Sequence, residues 1–237
     1  MRIAVFTDAH GNLPALEAAL AAIERAGCDV IYHTGDAIGI GPYPAECLDR
    51  LLHTPRARCV MGNHDAWFAR GLPQPQPPWM SDGEVAHQRW VHAALDPALR
   101  PLVARWPYVI EEEWAGIRCA FLHYGLEASG HDFAAVVPQP RAATLDPLFA
   151  PYRAALVFYG HDHTASDVQG QGRYISPSSL GCFRAPVARF VILDLNGQGP
   201  YTITPHAVAY DDTALLRAFE ERDVPERDFI RRVFFSR

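Results

Sequence analysis

Five short apolar runs, at residues 3–7, 30–34, 58–61, 117–123 and 154–159, each stop against a polar motif. Those motifs are Asp8-Ala9-His10, Gly35-Asp36, Gly62-Asn63-His64-Asp65, His123 itself and Gly160-His161-Asp162-His163. Unbroken apolar runs of this length suit strands buried on both faces. The carboxyl ends of such strands form the ligand crevice of an α/β sheet. Five polar motifs from distant parts of the chain are therefore expected to meet at one place.

The segments between the runs alternate with them. Residues 13–26 are rich in Ala and Leu at helical spacing, and Gly27 follows as a C-cap. Residues 44–52 also read as a helix. So do residues 81–95, where Ser81 and Glu84 form a capping-box pattern. The stretch Pro73-Gln74-Pro75-Gln76-Pro77-Pro78 excludes helix and central strand and reads as a stiff linker. Residues 108–114 and 117–123 resemble a hairpin about Ala115-Gly116, residues 124–140 a loop, and residues 173–175, 189–195 and 201–210 further strands. Residues 213–222 close the chain with a helix. This βαβαβ start followed by several strands predicts an α/β protein with two sheets. One domain over residues 1–237 is expected, with residues 66–106 inserted as a largely helical cap.

Composition narrows the function classes. The net charge of the 237-residue chain is -6, from 21 basic and 27 acidic residues. An acidic chain lacks the basic patches that stable nucleic-acid or membrane-surface binding needs. It still admits a small phosphorylated substrate if bound metals supply local positive charge. The cysteines Cys28, Cys47, Cys59, Cys119 and Cys182 are odd in number and contain no CxxC, which argues against a disulfide framework and a cysteine-based zinc site. No run reaches the roughly 18 apolar residues of a membrane span. The N-terminal run meets Asp8 too soon for a signal peptide, so a cytoplasmic protein is expected.

Asp8, His10, Asp36, Asn63, His123, His161 and His163 offer only oxygen and imidazole nitrogen. That set suits divalent Mn, Fe, Zn, Co or Ni. Seven ligands exceed what one tetrahedral ion takes but fit two ions sharing a carboxylate, a device used in phosphate chemistry. Two such ions, less Asp8, Asp36 and a bridging hydroxide, leave the site positive and attractive to phosphate. Taken singly, the motifs have blander explanations: Gly62-Asn63-His64-Asp65 could be a turn, and His123 a structural histidine. Their order and their common position at run ends favour a metal site.

The ordered set Asp8-x-His10, Gly35-Asp36, Gly62-Asn63-His64-Asp65, His123 and Gly160-His161-x-His163 resembles the calcineurin-like metallophosphoesterases. The string Gly35-Asp36-Ala37-Ile38-Gly39-Ile40-Gly41-Pro42 resembles their small bacterial and archaeal phosphodiesterase-like branch. The resemblance implies a two-sheet β-sandwich flanked by helices in αββα order, and a dinuclear centre. It implies that Asp8, His10 and His163 hold one ion, that Asn63, His123 and His161 hold the other, and that Asp36 bridges them. His64 would contact the phosphate and protonate the leaving oxygen, with Asp65 orienting it. The implied activity is hydrolysis of a phosphomonoester or phosphodiester, on a small nucleotide-type substrate, by hydroxide bridging the ions. A dinucleoside polyphosphate hydrolase and a protein phosphatase are the alternatives, and a non-catalytic scaffold is the reading that the full ligand set opposes.

Two segments depart from the family pattern. Tyr124 stands between His123 and Gly125 where the family often has glycine directly. The segment Ser176-Pro177-Ser178-Ser179-Leu180-Gly181 replaces an Asn-Pro-Gly-Ser-like turn. Both bear on substrate positioning. Asn12 reads as an N-cap, Asp162 as pointing away from the site, and Arg184 as a surface ion-pair partner. Trp67, Trp79, Trp90 and Trp106 read as a small core, with base stacking or an oligomer interface as the alternatives. Phe229-Ile230 and Phe234-Phe235 read as packed, a homo-oligomer contact being the alternative.

Overall fold

The computed structural model describes residues 1–195 and 201–236. Two five-stranded sheets face each other. The first contains β1 (Arg2–Phe6), β2 (Val30–His33), β3 (Ala57–Cys59), β9 (Val187–Asp194) and β10 (Thr202–Ala209), in the order β10-β9-β1-β2-β3. The second contains β4 (Val109–Trp114), β5 (Ile117–Leu122), β6 (Leu156–Phe158), β7 (Ala165–Gln169) and β8 (Arg173–Pro177), in the order β4-β5-β6-β8-β7. Strands β1, β2 and β3 run parallel, as do β5, β6 and β8, so their carboxyl ends share one edge of the sandwich.

The alternation of side chains along β1 divides the core. Ile3 and Val5 face the second sheet, packing with Tyr32, Phe121, Phe158 and Leu193. Ala4 and Phe6 face the opposite way, against Leu16, Ile23 and Leu48 of two helices, α1 (Leu13–Arg25) and α2 (Pro44–Leu52). Period-2 alternation with both faces apolar is what a strand between two hydrophobic layers requires. On the far side of the second sheet, Leu145 and Phe149 of α6 (Ala142–Phe149) pack on Tyr159 and Tyr174. The result is an αββα sandwich, as expected.

Between β3 and β4 lie α3 (Asn63–Arg70), α4 (Asp82–Ala93) and the short α5 (Arg100–Val103). Ser81 Oγ caps α4 by accepting from the Glu84 N–H at 3.1 Å. The reciprocal half of that capping box is not made, which leaves the Glu84 carboxylate directed elsewhere. The hairpin between β4 and β5 turns at Ala115 and Gly116, both with positive φ, as a two-residue turn between twisted strands demands. After α7 (Thr213–Glu221) the chain forms α8 (Arg227–Ile230) and one π-helical turn, Arg231–Phe235. Ile230 and Phe235 are buried with Leu215 and Phe219, while Phe229 and Val233 stay exposed. Among the described residues no helix is long and apolar enough to cross a membrane.

Candidate metal centre

All five motifs sit immediately after the carboxyl ends of β1, β2, β3, β5 and β6. The first sheet contributes Asp8, His10, Asp36 and Asn63; the second contributes His123, His161 and His163. Asp8, His10, Asp36, His161 and His163 all have positive φ. Non-glycine residues seldom adopt that conformation, and it is concentrated at functional sites where the surroundings enforce it.

The segment Ser176–Gly181 is part of that enforcement. Ser179 Oγ donates to the Asp8 carbonyl at 2.9 Å, and the Gly181 N–H donates to the same oxygen at 3.0 Å. Ser178 Oγ donates to the His163 carbonyl at 2.8 Å. The sequence marked this segment as unusual without revealing that it clamps the backbone at two candidate ligands. Tyr124 acts from the other side: it is fully buried, accepts from the Val137 N–H at 2.9 Å, and its ring lies 5.3 Å from that of His161.

The polar atoms converge in two groups. His10 Nε2 and His163 Nε2 stand 2.9 Å apart, and each lies 3.5 Å from Asp8 Oδ1. His123 Nε2 lies 3.1 Å from His161 Nδ1 and 3.2 Å from Asn63 Oδ1. Asp36 Oδ2 sits between the groups, 3.7 Å from His10 Nε2 and 3.3 Å from His123 Nε2. Ligands held at the 2.0–2.1 Å metal–nitrogen distance and at right angles to each other are about 3 Å apart. The fully buried Asp8 Oδ1 has no hydrogen-bond partner, an arrangement that buried carboxylate oxygens avoid unless a cation or donor meets them. His10 Nδ1 donates to the Ile38 carbonyl and His123 Nδ1 to the Thr34 carbonyl, at 3.2 and 2.9 Å. These bonds turn the Nε2 atoms toward the centre, as outer partners of metal-binding histidines do. The donor set and its geometry fit divalent ions. Cys182 was not foreseen here, yet its thiol lies within ligand reach of His10 and His163. Burial raises its pKa well above 9.0 and keeps it a thiol.

Electrostatics agree with a site shaped for positive charge. Burial pushes Asp8 and Asp36 toward protonation, but the surrounding histidines outweigh it and hold both carboxyls well below the usual range. The reciprocal effect acts on His123. Burial opposes its charge, but Asp36 dominates and raises the imidazole to about 9. His161 is lowered to about 4, by burial first and by His123 second.

Asp65 does not orient His64 as the resemblance implied. Both Asp65 oxygens accept main-chain N–H groups: Oδ2 from Asp36 and Gly62, Oδ1 from Ala37. The Asp65 carboxylate thus ties the loop after β2 to the start of α3 and makes no bond to His64. His64 Nδ1 instead accepts from Gln88 Nε2 of α4 at 2.8 Å, which places the ring hydrogen on Nε2. That atom lies 3.9 Å from Asp36 Oδ2, at the rim of the two groups. The backbone at Gly39 passes so close to this ring that a β-carbon there would collide with it. Gln88 lies inside the segment anticipated as a cap, where nothing in its helical pattern separates it from other polar residues.

An open cleft of about 560 Å³ lies over these atoms, lined by His10, Asp36, Asn63, His64, Arg184 and Phe234 among others. Arg184 makes no ion pair among the described residues and faces the cleft. Asp162 also lines it, with Oδ1 accepting from the Thr164 N–H. The tryptophans divide: Trp90 and Trp106 join the core, whereas the Trp67 ring lies 4.8 Å from that of His64 and Trp79 is exposed.

The family model of the calcineurin-like phosphoesterases matches residues 1–165, a span that contains all five motifs. This chain belongs to the calcineurin-like phosphoesterase family. Metal-dependent hydrolysis of phosphoesters is the general chemistry that this membership and the His/Asp groups support. The chain is also 43% identical over 63 residues to an uncharacterized protein of Methanocaldococcus jannaschii. That match covers 27% of this chain and about a quarter, 26%, of the relative. Its fold is similar to that of a hypothetical protein from Pyrococcus horikoshii OT3, with a TM-score of 0.82 at 20% identity over 100% and 98% of the two chains. A metallophosphoesterase from Sphaerobacter thermophilus is similar with a TM-score of 0.72 at 22% identity, over 97% and 96%. At these identities the likeness is one of fold.

Proposed function

We propose that the protein is a dinuclear phosphoester hydrolase in which Asp8, His10 and His163 hold one divalent ion, Asn63, His123 and His161 the other, and Asp36 serves both. The position of Asp36 Oδ2 between the two groups of ligand atoms carries this reading. Bound divalent ions would supply Lewis acidity, neutralising phosphate charge and making water nucleophilic. Asp65 and Ser179 fix the loops from which the ligands project. His64 presents Nε2–H at the rim, held by Gln88. In the overall step the water oxygen bonds to phosphorus and the bond to the alcohol oxygen breaks. His64 Nε2–H donates a hydrogen bond to the departing oxygen, which takes up the proton released by the attacking water.

The substrate is a small phosphoester. The cleft, about 560 Å³ with Arg184 and Phe234 in its lining, suits a small ester better than a protein surface. The complete ligand set favours an enzyme over a scaffold. Protein purified from Mn-supplemented cells should contain about two metal equivalents per chain. It should hydrolyse at least one of an aryl monoester, an aryl diester, a cyclic nucleotide and a dinucleoside polyphosphate. Absence of both metal and hydrolysis would overturn the proposal.

A further inference from the structure

A second cavity of about 400 Å³ opens beside the cleft, and His64, Ile40 and Phe234 line both spaces. Helix α4 forms one wall of this slot with Glu84, His87 and Gln88, and the C-terminal segment forms the other with Glu226 and Phe229. Trp79 is 65% exposed and Phe229 48% exposed, unusual for aromatic residues that border a cavity rather than fill a core.

Several acceptor atoms of the slot's side chains lack partners among the described residues. Neither the Glu84 nor the Glu226 carboxylate makes a hydrogen bond or ion pair with a described residue. Glu84 is half-buried, with its capping role unfilled. Glu226 has a positive φ of 61° and lays its carboxyl group against Gly83, where a β-carbon would meet Cδ at 2.6 Å. His87 and Gln88 are only 4% and 1% exposed, yet His87 Nε2 and Gln88 Oε1 have no partner. Two carboxylates, with one further unpartnered atom on each of His87 and Gln88, leave acceptors beside aromatic faces that nothing in the described chain satisfies. A wholly apolar occupant would leave them bare. A ligand with N–H donors or a positive charge would satisfy the carboxylates while its body lies on the aromatic rings.

We propose that this slot receives the leaving alcohol of the substrate, and that the alcohol bears a positively charged or N–H-donating nitrogen group. The proposal rests on the reading of His64 as the residue facing the departing oxygen, because His64 stands where slot and cleft join. Two kinds of alcohol share the required chemistry: an amino alcohol with a cationic head, and a nucleoside whose base offers an amino group.

Matched pairs test it. Phosphocholine is compared with its uncharged carbon isostere, 3,3-dimethylbutyl phosphate, and guanosine monophosphate with inosine monophosphate, which lacks the amino group. Each is offered to the Mn-loaded full chain as monoester and as methyl diester. Binding is read by calorimetry and hydrolysis by product formation. In at least one pair the member with the cationic head or the amino group should bind about tenfold more tightly, and the pair that shows it identifies the source. Glu84→Gln should reduce that ratio at least about threefold, and Glu226→Gln in the same direction, with unchanged thermal midpoints showing that the fold is kept. Equal binding within both pairs overturns the inference, whether or not the esters are hydrolysed. Preferential binding without any metal-activated hydrolysis leaves the slot standing and overturns the proposed function instead.

Discussion

His64 and His33 are both buried imidazoles close to the centre, and their partners separate them. His64 is held by Gln88 at the edge of an open cleft. His64→Ala should leave metal content unchanged and lower kcat by roughly 10²- to 10⁴-fold, the range for loss of a group that assists proton transfer to the departing oxygen. Gln88→Ala should act in the same direction and more weakly, since the imidazole remains but its ring is no longer fixed. A variant of His64 with full turnover would remove the residue from the mechanism. His33, in contrast, is fully buried beside Phe6 and neither ring nitrogen has a partner. Burial lowers it from 6.5 to about 3, against the opposing pull of Asp8. Below pH 6.5 the unfolded chain binds a proton there that the folded chain refuses until about pH 3. Stability is therefore lost as pH falls through that window, by at most about 1.4 kcal/mol per pH unit for this group. In the presence of a chelator, His33→Leu should flatten the dependence of the urea midpoint on pH between 6.5 and 4. An unchanged slope would show that His33 does not remain neutral in the fold.

Asn12 shows how one side chain can join elements. Its Oδ1 caps α1 by accepting from the Ala15 N–H at 3.1 Å, as expected from its place before a helical run. Its Nδ2 also donates to the Gly181 carbonyl at 2.7 Å and to the Tyr210 hydroxyl at 2.9 Å. It thereby ties α1 to the segment that clamps Asp8. Asn12→Ala should cost about 2–3 kcal/mol, a cap together with buried hydrogen bonds, where an ordinary exposed cap costs about 1. Chemical denaturation measures this directly, and a loss of about 1 kcal/mol or less would show that the Nδ2 bonds contribute nothing. The cap was legible because it depends on neighbours in sequence; the long-range bonds were not. The same division runs through the fold. Helix α2 and the hairpin at Ala115-Gly116 follow from local periodicity and turn chemistry. The sequence places the start of the helical cap at residue 66, whereas α3 begins at Asn63; what makes the motif a helix start is Asp65 accepting the Gly62 N–H. Strand β7, Ala-Ser-Asp-Val-Gln, carries few apolar residues because it lies at a sheet edge, and it was missed. At the site, ligand types and spacing pointed to each candidate ligand. Gln88 and the serines of the clamp act through contacts distant in sequence, which no local pattern records.

The two groups of ligand atoms divide the whole molecule in an informative way. Asp8, His10, Asp36 and Asn63 follow strands of the first sheet, and His123, His161 and His163 follow strands of the second. Each proposed ion therefore draws ligands from both sheets and would join them at the edge where the interior apolar layer ends. Without ions, the charges that stand there are buried carboxylates held ionised and a His123 imidazole raised to about 9. Metal entry must displace that His123 proton, because the nitrogen facing the centre can hold a proton or an ion but not both. Binding at pH 7–8 should accordingly release protons, detectable as buffer-dependent heat in calorimetry. Because the folded chain presents the ligands together and the unfolded chain does not, Mn at about 100 times its dissociation constant should stabilise the fold by about 2.7 kcal/mol per site. A scanning experiment should show a higher Tm with Mn than with chelator. Asp36→Asn weakens both proposed sites at once and should abolish most of that rise. If the rise survives undiminished in Asp36→Asn, the ions do not share this carboxylate, and the sheets are joined some other way.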